Sequence, residues 1–206
     1  MSTENASLEA RLDGLEGRAA VAFMATLTER LLPNYRLYAE LGGQGDAKSV
    51  RVMLDLVWEA LSVRDAKIDF ARQVDKLTEI EPDIDEDQSF GARVALDTTM
   101  ALSCCLDALQ NALQKKKDSE SPVEVSRLSI GGVARYIELS EGDELDDDAL
   151  AAHIEAHALM ADECAFQRVV LELVEQAPLD RDRLRELRRL GRNEGVSNIG
   201  LSTNDE

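Results

Sequence analysis

Aromatic side chains are scarce in this sequence: Phe, Trp and Tyr make up 4% of its 206 residues. Sheets favour aromatic and β-branched residues, so their scarcity beside abundant Ala and Leu argues for helix–helix packing. Long apolar runs are missing as well. The longest mostly apolar stretch, 19–27, falls far short of the ~20 residues that span a bilayer, so no membrane insertion is expected. Only three cysteines occur, two of them adjacent (Cys104, Cys105), which makes no disulfide framework. The first eleven residues carry acids and lack the basic and apolar regions of a secretory signal. The expected compartment is therefore the cytoplasm. Positive charge is outnumbered, 23 basic against 41 acidic residues, for a formal charge of −18. A field of that sign repels phosphate backbones, so generic nucleic-acid binding and attachment to anionic lipid are disfavoured. With two histidines, His153 and His157, and no Gly-x-Ser-x-Gly elbow, a Ser-His-Asp triad has little to draw on.

What the chain does contain is helical periodicity. Val50, Met53, Leu54, Val57, Trp58 and Leu61 fall on one face of a 3.6-residue helix, predicted over 46–62. A helix over 17–32 precedes it and is interrupted by Pro33, which supplies no amide hydrogen. A short helix over 35–41 ends at Gly42-Gly43. Further helices are predicted over 67–80 and 89–116. Another begins at Ser121-Pro122, where Glu124 completes a capping box, and runs to about 139. One long helix follows over 146–176, and a last one over 180–192. Acidic loops occupy 81–88 and 141–148, and the polar tail from Gly195 is expected to lie loose or strapped to the surface. These elements predict one all-α domain over 1–206, a bundle of about seven or eight helices with an ordered core over about 5–194.

Several short strings carry a resemblance: Pro33-Asn34-Tyr35, Leu54-Asp55-Leu56-Val57-Trp58-Glu59, Asp65-Ala66-Lys67, Val123-Glu124-Val125-Ser126 and Ser197-Asn198-Ile199-Gly200. In collinear order from about Leu8 to Leu201, they resemble the YjaG-like family of bacterial proteins, the domain of unknown function 416. The resemblance implies an all-helical cytoplasmic bacterial protein. It brings no catalytic residue or cofactor to any position of this chain.

The residues themselves offer a few candidate sites. Residues 42–49 approach a phosphate-binding loop, but Ala47 replaces its second glycine and a helix precedes it instead of a strand. A glycine cap followed by an Asp46 N-cap is the better reading. Asp83, Asp85 and Asp87 copy half a calcium loop, yet Gln88 and Val94 stand where its Gly and Glu belong. His153 and His157, with Met160 and Cys164, share one face of the predicted long helix and are candidate metal ligands. The alternative is two half-exposed histidines at the edge of an apolar face. No Glu-x-x-His pattern supports a di-iron centre.

Asp97 sits in a helix that is apolar on nearly every side, so its carboxylate needs a partner or a proton. Lys67, Arg93 and the Trp58 indole are the candidate partners. Asp97, Trp58 and Lys67 are thus a candidate ligand pocket, against the alternative of a structural pair that fixes helix register. The stretch 180–192 holds six arginines. Among them Arg181, Arg185, Arg188, Arg189 and Arg192 are a candidate partner-binding surface, against pairing with the protein's own acids. No cofactor is expected. The sequence favours a non-catalytic protein acting through association, with itself as a homodimer or with another protein. The alternative is a small-molecule binder or enzyme with an interhelical pocket containing Asp97.

Overall fold

Side-chain oxygens start most of the helices. Asp46, Asp69, Ser89, Asp146 and Asp180 each accept hydrogen bonds from backbone amides of the first helical turn. Each such cap stabilises its helix by about 1 kcal/mol. In the computed structural model, residues 3–63, 66–116, 122–143, 145–176 and 178–202 are described, with side chains from Leu8 onward. Among the described residues nine α-helices form: α1 (Thr3–Asp13), α2 (Gly17–Glu40), α3 (Ala47–Ser62), α4 (Phe70–Thr78), α5 (Phe90–Leu113), α6 (Pro122–Glu141), α7 (Asp147–Ala156), α8 (Ala158–Glu175) and α9 (Arg181–Arg192). They contain no strand, only one isolated bridge between Val196 and Ser202. The expected single all-α domain is what forms. The predicted Ser121 cap lies outside the described residues, and Pro122 opens α6.

Helix α2 is the central rod, touching α3, α5, α6, α8 and α9. Residues 20 to 29 along it are all buried, so it is enclosed by protein on every side. That explains the first departure from the sequence reading: Pro33 does not end the helix, which continues to Glu40. A proline inside a helix costs about 3 kcal/mol. Burial of Leu31, Leu32, Tyr35 and Tyr38 around it offsets that cost, since each large apolar side chain contributes about 1.5–3 kcal/mol. Thr98 of α5 also donates to the Leu31 carbonyl at 3.1 Å, tying α5 to this turn.

The second departure is at His157. The long helix predicted over 146–176 is two helices, because His157 adopts an extended conformation (φ −70°, ψ 139°). Its imidazole Nδ1 accepts the Leu159 amide at 3.1 Å and so caps α8. The third departure is the tail. Ser197, Asn198 and Ile199 are buried, with Ile199 joining a second apolar cluster of Val94, Val133, Ile137, Met160 and Cys164. The tail is neither loose nor a surface strap at these residues.

Candidate functional site: a basic cleft and a buried polar seam

Gly191 brings α9 against α2. A Cβ at this position would overlap the Thr26 carbonyl oxygen and stand 2.8 Å from Glu29 Cβ, so only glycine allows this approach. The close packing puts Arg188 and Arg192 over Glu29, whose side chain is 1% exposed. Arg51 of α3 grips the same carboxylate with a fork, Nη1 to Oε2 at 2.7 Å and Nη2 to Oε1 at 2.9 Å. Arg188 Nε adds a bond at 3.2 Å, and Arg192 Nε stands at 3.6 Å. Arg51 and Arg188 also bind Asp55. A buried carboxylate needs such compensation, and three guanidinium groups supply it.

Beyond this cage, α3 and α9 diverge into an open cleft of about 490 Å³. Trp58 and Leu184 are lining residues, both almost fully buried, and Arg181, Arg185 and Arg188 contribute the cationic side. Asp55 and Glu59 lie opposite. The Arg188 guanidinium carbon is 6.0 Å from the Trp58 ring centroid. The Trp58 indole nitrogen is buried and has no hydrogen-bond partner. Arg185 pairs with Asp182 on its own helix, while Arg181 and Arg189 are exposed. The structure therefore gathers Trp58 with part of the arginine set, a grouping the sequence did not suggest.

Asp97 is buried, 7% exposed, as its surroundings in the sequence required. Its partner is Arg135 of α6, which donates to Oδ2, and not Lys67, Arg93 or Trp58. Lys67 is exposed in the segment before α4, and Trp58 belongs to the α3–α9 cleft. Burial pushes the Asp97 carboxyl up to about 6, with Arg135 opposing the rise. Neither the α3–α9 cleft nor the cavity at the start of α5 described below is lined by Asp97.

The pair adjoins a larger polar seam. Asp97 Oδ2 and Asn198 Nδ2 each lie 3.5 Å from the Cβ position that Gly132 leaves empty. Asn198 donates to the Ser129 carbonyl at 2.9 Å and accepts from Asn34 Nδ2 at 2.9 Å. Ser129 donates to Glu163 Oε1 at 2.7 Å. Glu163 is fully buried and also takes bonds from Arg30 at 3.0 Å and Gln167 at 2.8 Å. Burial raises its carboxyl above the usual range despite Arg30. Four segments, α2, α6, α8 and the tail, meet on this hydrogen-bonded network, with the Asp97–Arg135 pair of α5 and α6 beside it at Gly132, so it fixes their relative register.

The two histidines do converge, although not as residues of one helix. His153 Nε2 is 2.8 Å and His157 Nε2 3.3 Å from the two oxygens of Glu141, at the end of α6. Ligand atoms of all three lie within 4.8 Å of one another, a spacing that a divalent transition ion can bridge. The Leu159 amide, however, requires a bare Nδ1 on His157, which leaves the proton on Nε2, facing Glu141. Metal ligation through Nε2 would need that capping bond to be given up, since metal-bound imidazoles normally donate through the other nitrogen. Met160 and Cys164 point into the second apolar cluster. Their sharing of a helix face with the histidines ends with the break at His157.

Glu29, Arg51, Arg135, Glu163, Asn34 and Asn198 organise these features, and none of them is among the candidate site residues of the sequence, although Asn34 and Asn198 lie in the strings that carry the family resemblance. The available signal was charge in an apolar setting: Glu29-Arg30 inside the buried 20–32 run, and Arg135 between Val133 and Ile137. Periodicity shows that such residues are buried, but it does not show which distant acid meets which base.

Residues 7–202 match the family described as "Protein of unknown function (DUF416)". The chain is 35% identical over 191 residues to "Uncharacterized protein YjaG" of Escherichia coli K12, covering 93% of this chain and 94% of that one. It is 32% identical over 192 residues to an "Uncharacterized protein" of Haemophilus influenzae, with the same coverage. The crystal structure of a DUF416 family protein from Shewanella baltica OS155 superposes with a TM-score of 0.82 at 31% identity, over 94% of this chain and 97% of that one. With the fold, the buried Ser197-Asn198-Ile199 string and the full-length match in agreement, this chain belongs to the DUF416 family.

Proposed function

We propose that this protein works by association in the bacterial cytoplasm, and that its α3–α9 cleft receives an acidic segment of a protein partner. The observation that carries this reading is Trp58, a buried indole with an unpaired N–H, set beside Arg181, Arg185 and Arg188 in an open cleft. Tryptophan and arginine are the side chains that most often anchor protein interfaces. A carboxylate entering here meets the guanidinium groups that the protein's own acids leave available, Arg181 first. The buried acids Asp97 and Glu163 are closed by Arg135 and Arg30, which suits a structural role better than proton transfer.

Trp58 is the only tryptophan in the chain, so its fluorescence reports on the cleft directly. Titration with a Glu/Asp-rich peptide containing leucine should shift Trp58 emission, saturably and less strongly at high salt. The Gln/Asn version of the peptide should not, and Arg181→Glu with Arg185→Glu should abolish the response. If the occupant is a second copy of this chain, the sedimentation coefficient should rise with concentration in the parent and not in that double variant. An unchanged Trp58 emission together with concentration-independent sedimentation overturns the reading.

A further inference from the structure

A second cavity, of about 480 Å³, lies where the end of α2 meets the start of α5. Its wall is mostly apolar, with Leu37, Tyr38, Phe90, Val94 and Leu201 among the lining side chains. That size and character suit a small organic ligand, provided a few polar groups fix its orientation. Two acceptors belong to its lining, and only the second is open to a ligand.

The first is Asn34, a lining residue that is 2% exposed. Its amide orientation is dictated by the polar seam. Asn198 Nδ2 donates to the Ser129 carbonyl, so Asn198 Oδ1 is the atom turned toward Asn34, which must offer it Nδ2. Asn34 Oδ1 is left buried with no hydrogen-bond partner. Leaving such an acceptor unpaired costs free energy, but this oxygen has no accessible surface, so it offers a ligand no direct contact. The second is Asp87, whose carboxylate takes the Ser89 amide at 2.9 Å and the Tyr38 hydroxyl. These bonds, the Ser89 amide foremost, hold the carboxyl below its usual range, so it is ionised at neutral pH. Gly43 packs directly on the Tyr38 ring, where any side chain would overlap it, so the ring is held in place from the glycine side.

We propose that this cavity binds a small organic ammonium ion with an apolar arm, its N–H donors taken by the Asp87 carboxylate and its arm packed against Tyr38 and Phe90. Aromatic faces and a carboxylate both attract a cation, and both reject an anion of the same shape. The formal charge of −18 raises the local concentration of cations and opposes that of anions.

The test uses three probes of one shape on the full chain: 3-phenylpropylammonium, the neutral 3-phenylpropanol and the anionic 3-phenylpropionate. Amide NMR titration should give saturable shifts at Gly42, Gly43, Gly91 and the Asn34 side-chain amide with the ammonium. The alcohol should bind about tenfold or more weakly, and the carboxylate should leave the spectrum unchanged. Asp87→Asn has the same shape and keeps an acceptor oxygen for the Ser89 amide, so the fold should persist while ammonium affinity falls about tenfold. The proposal is overturned if the three probes bind equally, if the alcohol or the carboxylate binds best, if Asp87→Asn leaves affinity unchanged, or if no probe shifts these resonances. Trp58 does not line this cavity, so the result is independent of the α3–α9 reading.

Discussion

Asp97 shows how burial and pairing compete at a single side chain. Arg135 favours the charged carboxylate, but desolvation outweighs it and lifts the group to about 6 from its ordinary value of 3.8. A carboxyl raised in the folded state binds its proton more tightly there than in the unfolded chain. Its contribution to stability is therefore present below about pH 4 and is lost as pH rises through about 6. The loss is on the order of 3 kcal/mol. Thermal unfolding of Asp97→Asn beside the parent should show the two stability curves diverging through this window, with the parent falling relative to the variant as pH rises. Parallel curves would contradict it. Glu29 is the contrasting case: it has three guanidinium partners in place of one. Glu29→Gln leaves Arg51, Arg188 and Arg192 around a neutral amide and should cost about 3–5 kcal/mol, read as a shifted urea midpoint at constant slope.

Among the elements, α9 depends on one glycine for its position. Gly191→Ala places a methyl group against the α2 backbone, so α9 must lift away. The expected loss is about 1–3 kcal/mol. Because Arg188 lifts with the helix, Trp58 emission should change even where the protein stays folded. How far the elements were legible follows from which force set them. Helix α3 could be read from its apolar stripe and its Asp46 cap, both local properties. The continuity of α2 through Pro33 could not, because the burial that outweighs a proline comes from helices distant in sequence. The break at His157 was hidden for a different reason: an imidazole capping the next helix is a side-chain event inside a helix-favouring stretch. The cleft was legible in parts, as Trp58 and as the arginine run, and not as a whole. Its assembly depends on where Gly191 seats α9.

The whole molecule is held in register by polar contacts between residues very far apart in the chain. Asn34 and Asn198 are separated by 164 positions, and Arg11 and Glu175 by the same number. Asn198→Ala removes the bonds to Asn34 and Ser129 and leaves buried groups unsatisfied, so it should lower stability by about 2–3 kcal/mol. It should do so cooperatively, as one unfolding transition shared by all probes, since the seam joins the central helices. A separate early transition limited to the tail would show that the tail docks independently of the core.

The burial of Ser197, Asn198 and Ile199 also bears on how the chain is made. A ribosome releases α2 long before it has joined residue 198 to the chain, so α2 waits in the cell with Asn34 and its apolar surround incomplete. Native register is then reached only after residue 198 clears the exit tunnel, and a nascent chain stalled earlier is a substrate for chaperones and proteases.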